Sequence, residues 1–148
     1  MNSENSIIIL APAEKIFKVA ADLSRWPEIL PHYRWVRYLE KSPAKSVVQM
    51  AARRSGIPIK WTSELEIDPV KMEIRFRHLK AFTKNMRVVW TFSPTAAGTN
   101  VRIRHELQIS NPLLGYFLSD IIIGRFFIHH VANQTLKYMK RYLENTHE

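Results

Sequence analysis

The chemistry open to this chain rests first on its histidines, because it contains no cysteine. Imidazole titrates near neutral pH, so it can move a proton, hold a hydrogen bond or ligate a metal. His78 and His105 are placed by strand parity. His78 continues the face of Met72, Ile74 and Phe76, and His105 that of Val101, Ile103 and Leu107. Both therefore point inward, where an imidazole is costly unless hydrogen-bonded. Two roles fit: a satisfied histidine near a strand end or cavity rim, or a ligand contact with acid–base help. His129 and His130 are neighbours about 100° apart on a helical wheel, so only one can face a given target squarely. His32 sits beside Pro31 in a proline-bounded segment. A metal site needs three or four convergent ligands. No HExxH or comparable spacing supplies them, so no metal is expected.

Nucleophile and nucleotide motifs are absent as well. The chain has no GxSxG, GxGxxG or GxxxxGK[ST] sequence, so neither a nucleotide cofactor nor any other cofactor is expected. No pair of carboxylates stands on the inward faces, which argues against glycosidase-like chemistry. A cyclase activity would have to be shape-directed. The cavity would fold a reactive poly-ketone while one polar group served a proton at an enolisable carbon. Arg53, Arg54, Tyr38 and His78 are candidates for that help, though the arginines fit equally well as solvated strand residues. No residue is assigned as catalytic.

These groups need a scaffold, and the sequence describes one. Residues 6–10 are short and β-branched, hence a strand. "APAEKIFKVAADLSRW" then places Ile16, Phe17, Val19, Ala20 and Leu23 at helical spacing, with Pro12 and Glu14 suited to a helix start. Pro27 and Pro31 leave room for at most one helical turn between them. From Trp35 the period falls to two. Residues 36–39 and 47–54 read as strands. Ile59, Trp61, Leu65 and Ile67 then alternate with Lys60, Thr62, Glu64 and Glu66. The alternation continues through Met72, Ile74 and Phe76, then Met86, Val88, Trp90 and Phe92, then Val101, Ile103 and Leu107. One buried and one solvated face mean an antiparallel sheet. Residues 111–143 form one long helical pattern, a rod of about 45 Å. Leu114, Leu118, Ile121, Ile128, Ala132, Met139 and Leu143 can line one side.

The fold class is therefore α+β in a single domain, residues 1–148. A strongly curved antiparallel sheet of about six or seven strands wraps a long C-terminal helix, with two short helices after the first strand. The stretch "IIILAPAEKIFKVAADLSRWPEILPHYRWVRYLE" adds a family likeness. Its Ala11, Pro12, Glu14, Phe17, Asp22, Trp26, Pro27 and Pro31 fit the opening "AP.E.VF...AD...WPE..P". In this the chain resembles the START-like (SRPBCC) helix-grip superfamily, in its polyketide cyclase/dehydrase and coenzyme Q-binding branch. The resemblance implies a deep apolar cavity. It spans lipid carriers, quinone binders, polyketide aromatase/cyclases and a ribosome-associating, toxin-like group.

Ligand-contact candidates follow from the inward faces. Trp61, Phe76, His78, Trp90, Phe92 and His105 on the sheet face Leu118, Ile121, Ile122 and Phe126 on the helix. Phe17, Trp26, Tyr33 and Phe82 are placed at the cavity mouth. The leading expectation is binding or transport of a small hydrophobic molecule such as a lipid, quinone or aromatic polyketide. The alternatives are a cyclase/dehydratase-like enzyme and a ribosome- or protein-binding module. The formal charge is +9, from 22 Lys and Arg against 13 Asp and Glu. Glutamates interleave with the outward cations and no exposed aromatic platform joins them, so a mixed solvated face is expected rather than a nucleic-acid surface. The apolar run "NPLLGYFLSDIIIGRFFIHH" is interrupted by Asp120 and Arg125, so no transmembrane segment is expected. Its outer side, at Tyr116, Ile123 and Phe127, is a candidate for a homodimer or peripheral membrane contact. The N-terminus has no basic n-region and only a short apolar run. With the lack of cysteine, that fits a cytoplasmic setting.

Overall fold

The computed structural model describes residues 2–54, 56–80, 83–107 and 118–145, with the backbone alone for Arg54 and residues 118–127. The chain runs β1 (Asn2–Ile9), α1 (Ala13–Ala21), a 3-10 turn (Leu23–Arg25), α2 (Trp26–Ile29), β2 (Tyr33–Glu40), β3 (Ser46–Arg54), β4 (Ile57–Asp68), β5 (Glu73–His78), β6 (Arg87–Pro94), β7 (Thr99–Glu106) and α3 (Leu118–Asn145). The strands make one 7-stranded sheet in the order β1-β7-β6-β5-β4-β3-β2, antiparallel throughout. The last six strands are thus a meander, and β1 adds to its far edge. Since β1 and β2 hold opposite edges, α1 and α2 carry the chain across the sheet. The curved sheet, the long C-terminal helix and the short helices after β1 give the α+β helix-grip fold.

Alternation builds the concave face. β5 buries Ile74, Phe76 and His78, β6 buries Val88, Trp90 and Phe92, and β7 buries Thr99, Val101, Ile103 and His105. On α3 the buried stripe is Val131, Ala132, Thr135, Leu136, Met139 and Leu143. Ala132, Met139 and Leu143 belong to the stripe read from sequence, while Val131, Thr135 and Leu136 widen it. The first part of the expected helix, residues 111–117, lies outside the described residues. Several strands start earlier than their apolar residues suggest, β1 by the most. β1 reaches back to Asn2 because its polar half pairs with β7 as far as Glu106. Asn5 is buried there, and its amide donates to the His129 carbonyl at 3.3 Å and to Asn133 Oδ1 at 3.2 Å. Tertiary pairing has overridden weak strand propensity.

The outer face is an ion-pair lattice. Arg75 binds Glu73 at 2.7 Å and Glu66 at 3.3 Å, Lys45 binds Glu64 and Glu66, and Arg77 binds Glu64. These pairs are substantially exposed, so each contributes little to stability.

One close approach fixes the β6–β7 turn against the end of β1. A Cβ at Gly98 would stand 2.4 Å from the Ile9 carbonyl oxygen, and both neighbours there are backbone. Gly56 has φ +83 but open space around it. Gly98→Ala should therefore cost about 2–3 kcal/mol of overpacking and backbone shift. Gly56→Ala should cost about 1 kcal/mol of backbone strain. Urea unfolding of the two variants checks the order. Equal losses would mean that the Gly98 approach relaxes freely.

Candidate functional site

Between the concave face and α3 lies a cavity of about 390 Å³. Its sheet wall is Met50, Trp61, Phe76, Trp90 and Ile103, and its helix wall is Val131, Ala132 and Thr135. Trp26 and Tyr33 close a third side. Pro27 follows Trp26 within the short α2, where its fixed φ suits the first turn of a helix. Trp26 is 1% exposed, and its indole N–H donates to the Ala20 carbonyl at 3.1 Å. Its ring meets Tyr33 at 5.1 Å, Trp90 at 5.5 Å and Phe76 at 6.3 Å. Such edge and tilted contacts add to burial and hold the wall in one arrangement.

Two imidazoles break this apolar lining. His78 ends β5, with its ring parallel to Trp61 at 6.3 Å and its Nδ1 3.0 Å from Thr83 Oγ1. Burial pushes its pKa down to about 4. His105 lies two strands away on β7. Its Nδ1 is buried without a hydrogen-bond partner among the described residues. Burial, then the nearby His78 and His129, push its pKa down to about 3. Both rings are therefore neutral at pH 7. A neutral imidazole offers one N–H donor and one acceptor, and at His105 one of these ring nitrogens remains unused.

The mouth is marked by the exposed members of the lining, Lys60 and Lys80. Lys60 and Thr62 belong by parity to the outer face of β4. They nevertheless line the cavity, as does Gln49, the β3 partner of Thr62, while β5 pairs only with Ser63 through Asp68. Residues 57–61 have β3 on one side and no described strand on the other. Lys80, Thr83 and Met86, from the β5–β6 connection, line the cavity as well.

Of the residues nominated from sequence, Trp61, Phe76, His78, Trp90 and His105 meet in this cavity. Trp26 and Tyr33 also line it, but as buried inner wall rather than mouth: parity and spacing give a face, not a depth. Phe92 and Phe17 do not line it. They pack edge-on against each other at 5.5 Å in the neighbouring core, under α1. The side chains of Leu118, Ile121, Ile122 and Phe126 lie outside the described residues, as do Phe82 and the outer positions 116, 123 and 127. Arg53 and Tyr38 are not part of the lining, and the side chain of Arg54 is outside the described residues. Sequence reasoning missed Met50 and Thr135 as wall residues, although Met50 shares parity with Val48 and Ala52. It also missed Lys60 and Thr62, whose parity points away.

His32 is half-buried beside the site. Its Nε2 is 2.9 Å from Thr135 Oγ1, and its ring stacks on Tyr138 at 5.9 Å. Desolvation pushes its pKa to about 4. Among the described residues, no group of three or more His, Asp or Glu side chains could hold a metal ion. Nor is any helix of the described residues long and apolar enough to cross a membrane.

The buried imidazoles make stability depend on pH. Their folded pKa values lie below the unfolded value near 6.5. Above that pH they contribute nothing. As pH falls below about 6.5 the unfolded chain takes up protons that the folded chain refuses, and stability drops until the folded pKa is reached. His78 and His105 should each add a slope of up to about 1.4 kcal/mol per pH unit between roughly pH 6 and 4. Urea midpoints across that window should fall steeply for the native chain and less steeply for His105→Gln. Identical slopes would mean that His105 is protonated as easily in the fold as out of it.

Comparison with known proteins places this geometry. Residues 9–126 match the family model described as polyketide cyclase/dehydrase and lipid transport. The bifunctional cyclase/dehydratase of the granaticin polyketide synthase from Streptomyces violaceoruber is 29% identical over 112 residues, which cover 74% of this chain and 35% of that protein. The chain thus spans only about a third of the granaticin enzyme's length. A putative polyketide cyclase from Streptomyces cyaneus is 30% identical over 127 residues, 82% of this chain and 83% of that one. The ribosome association toxin RatA of Vibrio cholerae is 25% identical over 137 residues, 92% of this chain and 91% of the toxin. Among solved structures, the Zhui aromatase/cyclase from Streptomyces sp. R1128 superimposes with a TM-score of 0.81 at 19% identity, over 97% of this chain and 93% of that one. That last likeness shows the fold. With a family model matched along most of its length, the chain belongs to the polyketide cyclase/dehydrase and lipid transport family.

Proposed function

We propose that the protein binds a small, ring-bearing apolar molecule with a few oxygen atoms, such as a quinone or an aromatic polyketide, in this cavity. The carrying feature is an aromatic-walled space of about 390 Å³ with the imidazoles of His78 and His105 in its lining. A dry cavity of ~150 Å³ accepts one benzene ring, so this volume suits about two to three fused rings. A carbonyl or hydroxyl on such a ligand would find hydrogen-bonding groups in the lining, the two imidazoles among them.

Catalysis of the cyclase/dehydratase kind is the second reading, favoured by the convergence of His78 and His105 on one cavity. Their pKa values argue for a limited role. A general base works best near the operating pH. Groups near 4 and 3 are poor proton acceptors at pH 7. As neutral donors they can still polarise a bound ketone, and the cavity can fold a chain for ring closure. A ribosome- or protein-binding role would be served by a filled interior and a continuous basic face. This interior has space, and carboxylates interrupt the outer cations.

The test is binding itself. Native protein, extracted with organic solvent and analysed by mass spectrometry, should release an apolar ring compound. Titration with a hydroxylated anthraquinone should quench the fluorescence of the lining tryptophans saturably. Ala132→Phe should abolish quenching while leaving the circular dichroism spectrum intact, since Ala132 lines the helix wall. An empty extract together with no saturable quenching would overturn the proposal.

A further inference from the structure

Among the described residues, the cavity lining contains two lysines and no aspartate or glutamate. Its histidines are neutral, so the formal charge of the described lining is that of Lys60 and Lys80. The nearest carboxylates along β4, Glu64 and Glu66, are held on the outer face by Lys45, Arg75 and Arg77. Neither Lys60 nor Lys80 forms an ion pair with any described residue. Both are exposed at the mouth, with the hydroxyls of Thr62 and Thr83 in the same lining. The site is therefore polarised: aromatic walls and neutral imidazoles inside, two cations towards the opening. A cleft with low-dielectric walls focuses such a field on whatever enters it.

We propose that the ligand is an aromatic carboxylate, its rings in the cavity and its carboxylate at the mouth between Lys60 and Lys80. This rests on the cavity-binding reading above and narrows it to an acidic amphiphile. Lysine suits the task as a mobile point charge on a long apolar stem, which can follow ligands of somewhat different length. Residues 57–61 make the position available, because an edge not covered by β5 lets an outer-face side chain reach the opening.

The test compares anthraquinone-2-carboxylate with its neutral carboxamide by tryptophan quenching at pH 7. An exposed ion pair is worth a factor of up to about five, so two lysines should favour the carboxylate about tenfold. The preference should shrink as sodium chloride is raised. The Lys60→Gln, Lys80→Gln double variant should bind acid and amide alike, the ratio of the two affinities falling to about one. Both lysines are exposed, so the fold is expected to survive, and an unchanged circular dichroism spectrum would demonstrate it. Equal binding of acid and amide by the native chain would overturn the acidic-ligand proposal and leave the cavity reading standing. So would a preference that persists in the double variant. Failure of both probes to bind would overturn both.

Discussion

The site depends on a mismatch of strand lengths. β4 runs 12 residues and its neighbour β5 only 6. A fully paired sheet would cover β4 on both sides and leave its outer residues facing water. Here residues 57–61 are paired by β3 alone, and just beyond β5 the Leu79 N–H donates to the Thr62 carbonyl at 2.9 Å. An uncovered strand edge is ordinarily an aggregation hazard. In this fold it becomes an entrance, bordered by Lys60, Lys80 and Thr83. The chain places charge where the edge is open, which also discourages pairing with a second sheet.

Desolvation governs the interior. Apolar walls keep His78 and His105 neutral, and neutrality fixes what they can do. A charged imidazole would attract anions deep into the cavity. On the proposed reading a neutral one would recognise an oxygen atom by hydrogen bonding and leave charge recognition to the lysines at the mouth, and the aromatic walls that hold the histidines neutral would measure the ring system. Trp26 joins these functions. It packs on Tyr33, Phe76 and Trp90 and ties itself to the Ala20 carbonyl. That anchoring fixes the position of Trp26 in the cavity wall.

Much of this was legible in the sequence, and what was not has a physical reason. Period-two alternation from Ile59 to Leu107 reports which face is buried, so the sheet, its antiparallel sense and the inward direction of His78 and His105 could be read directly. Parity is blind to depth. Phe92 shares a face with Trp90 yet packs against Phe17 outside the cavity, because α1 covers that end of the sheet. Trp26 and Tyr33 were nominated for the mouth and lie in the wall, since no local pattern tells how far α2 folds inward. Lys60 and Thr62 were read as outward, as parity requires. Where β5 stops pairing along β4 decides which of its residues border the opening, and register is a property of two strands together.

A small cavity with fixed walls also bears on affinity and choice. Side chains already held by tilted ring contacts and a buried indole hydrogen bond lose little freedom when a ligand arrives, so less of the contact energy is consumed in ordering them. The corresponding cost falls on poorly matched ligands. A longer chain would have to displace Trp26 from four partners, counting the Ala20 carbonyl. A ligand without an oxygen atom would offer the imidazoles of the lining no hydrogen-bond partner. Selectivity would then come chiefly from what the site refuses: excess length through packing, and wholly apolar compounds through an unmet hydrogen bond.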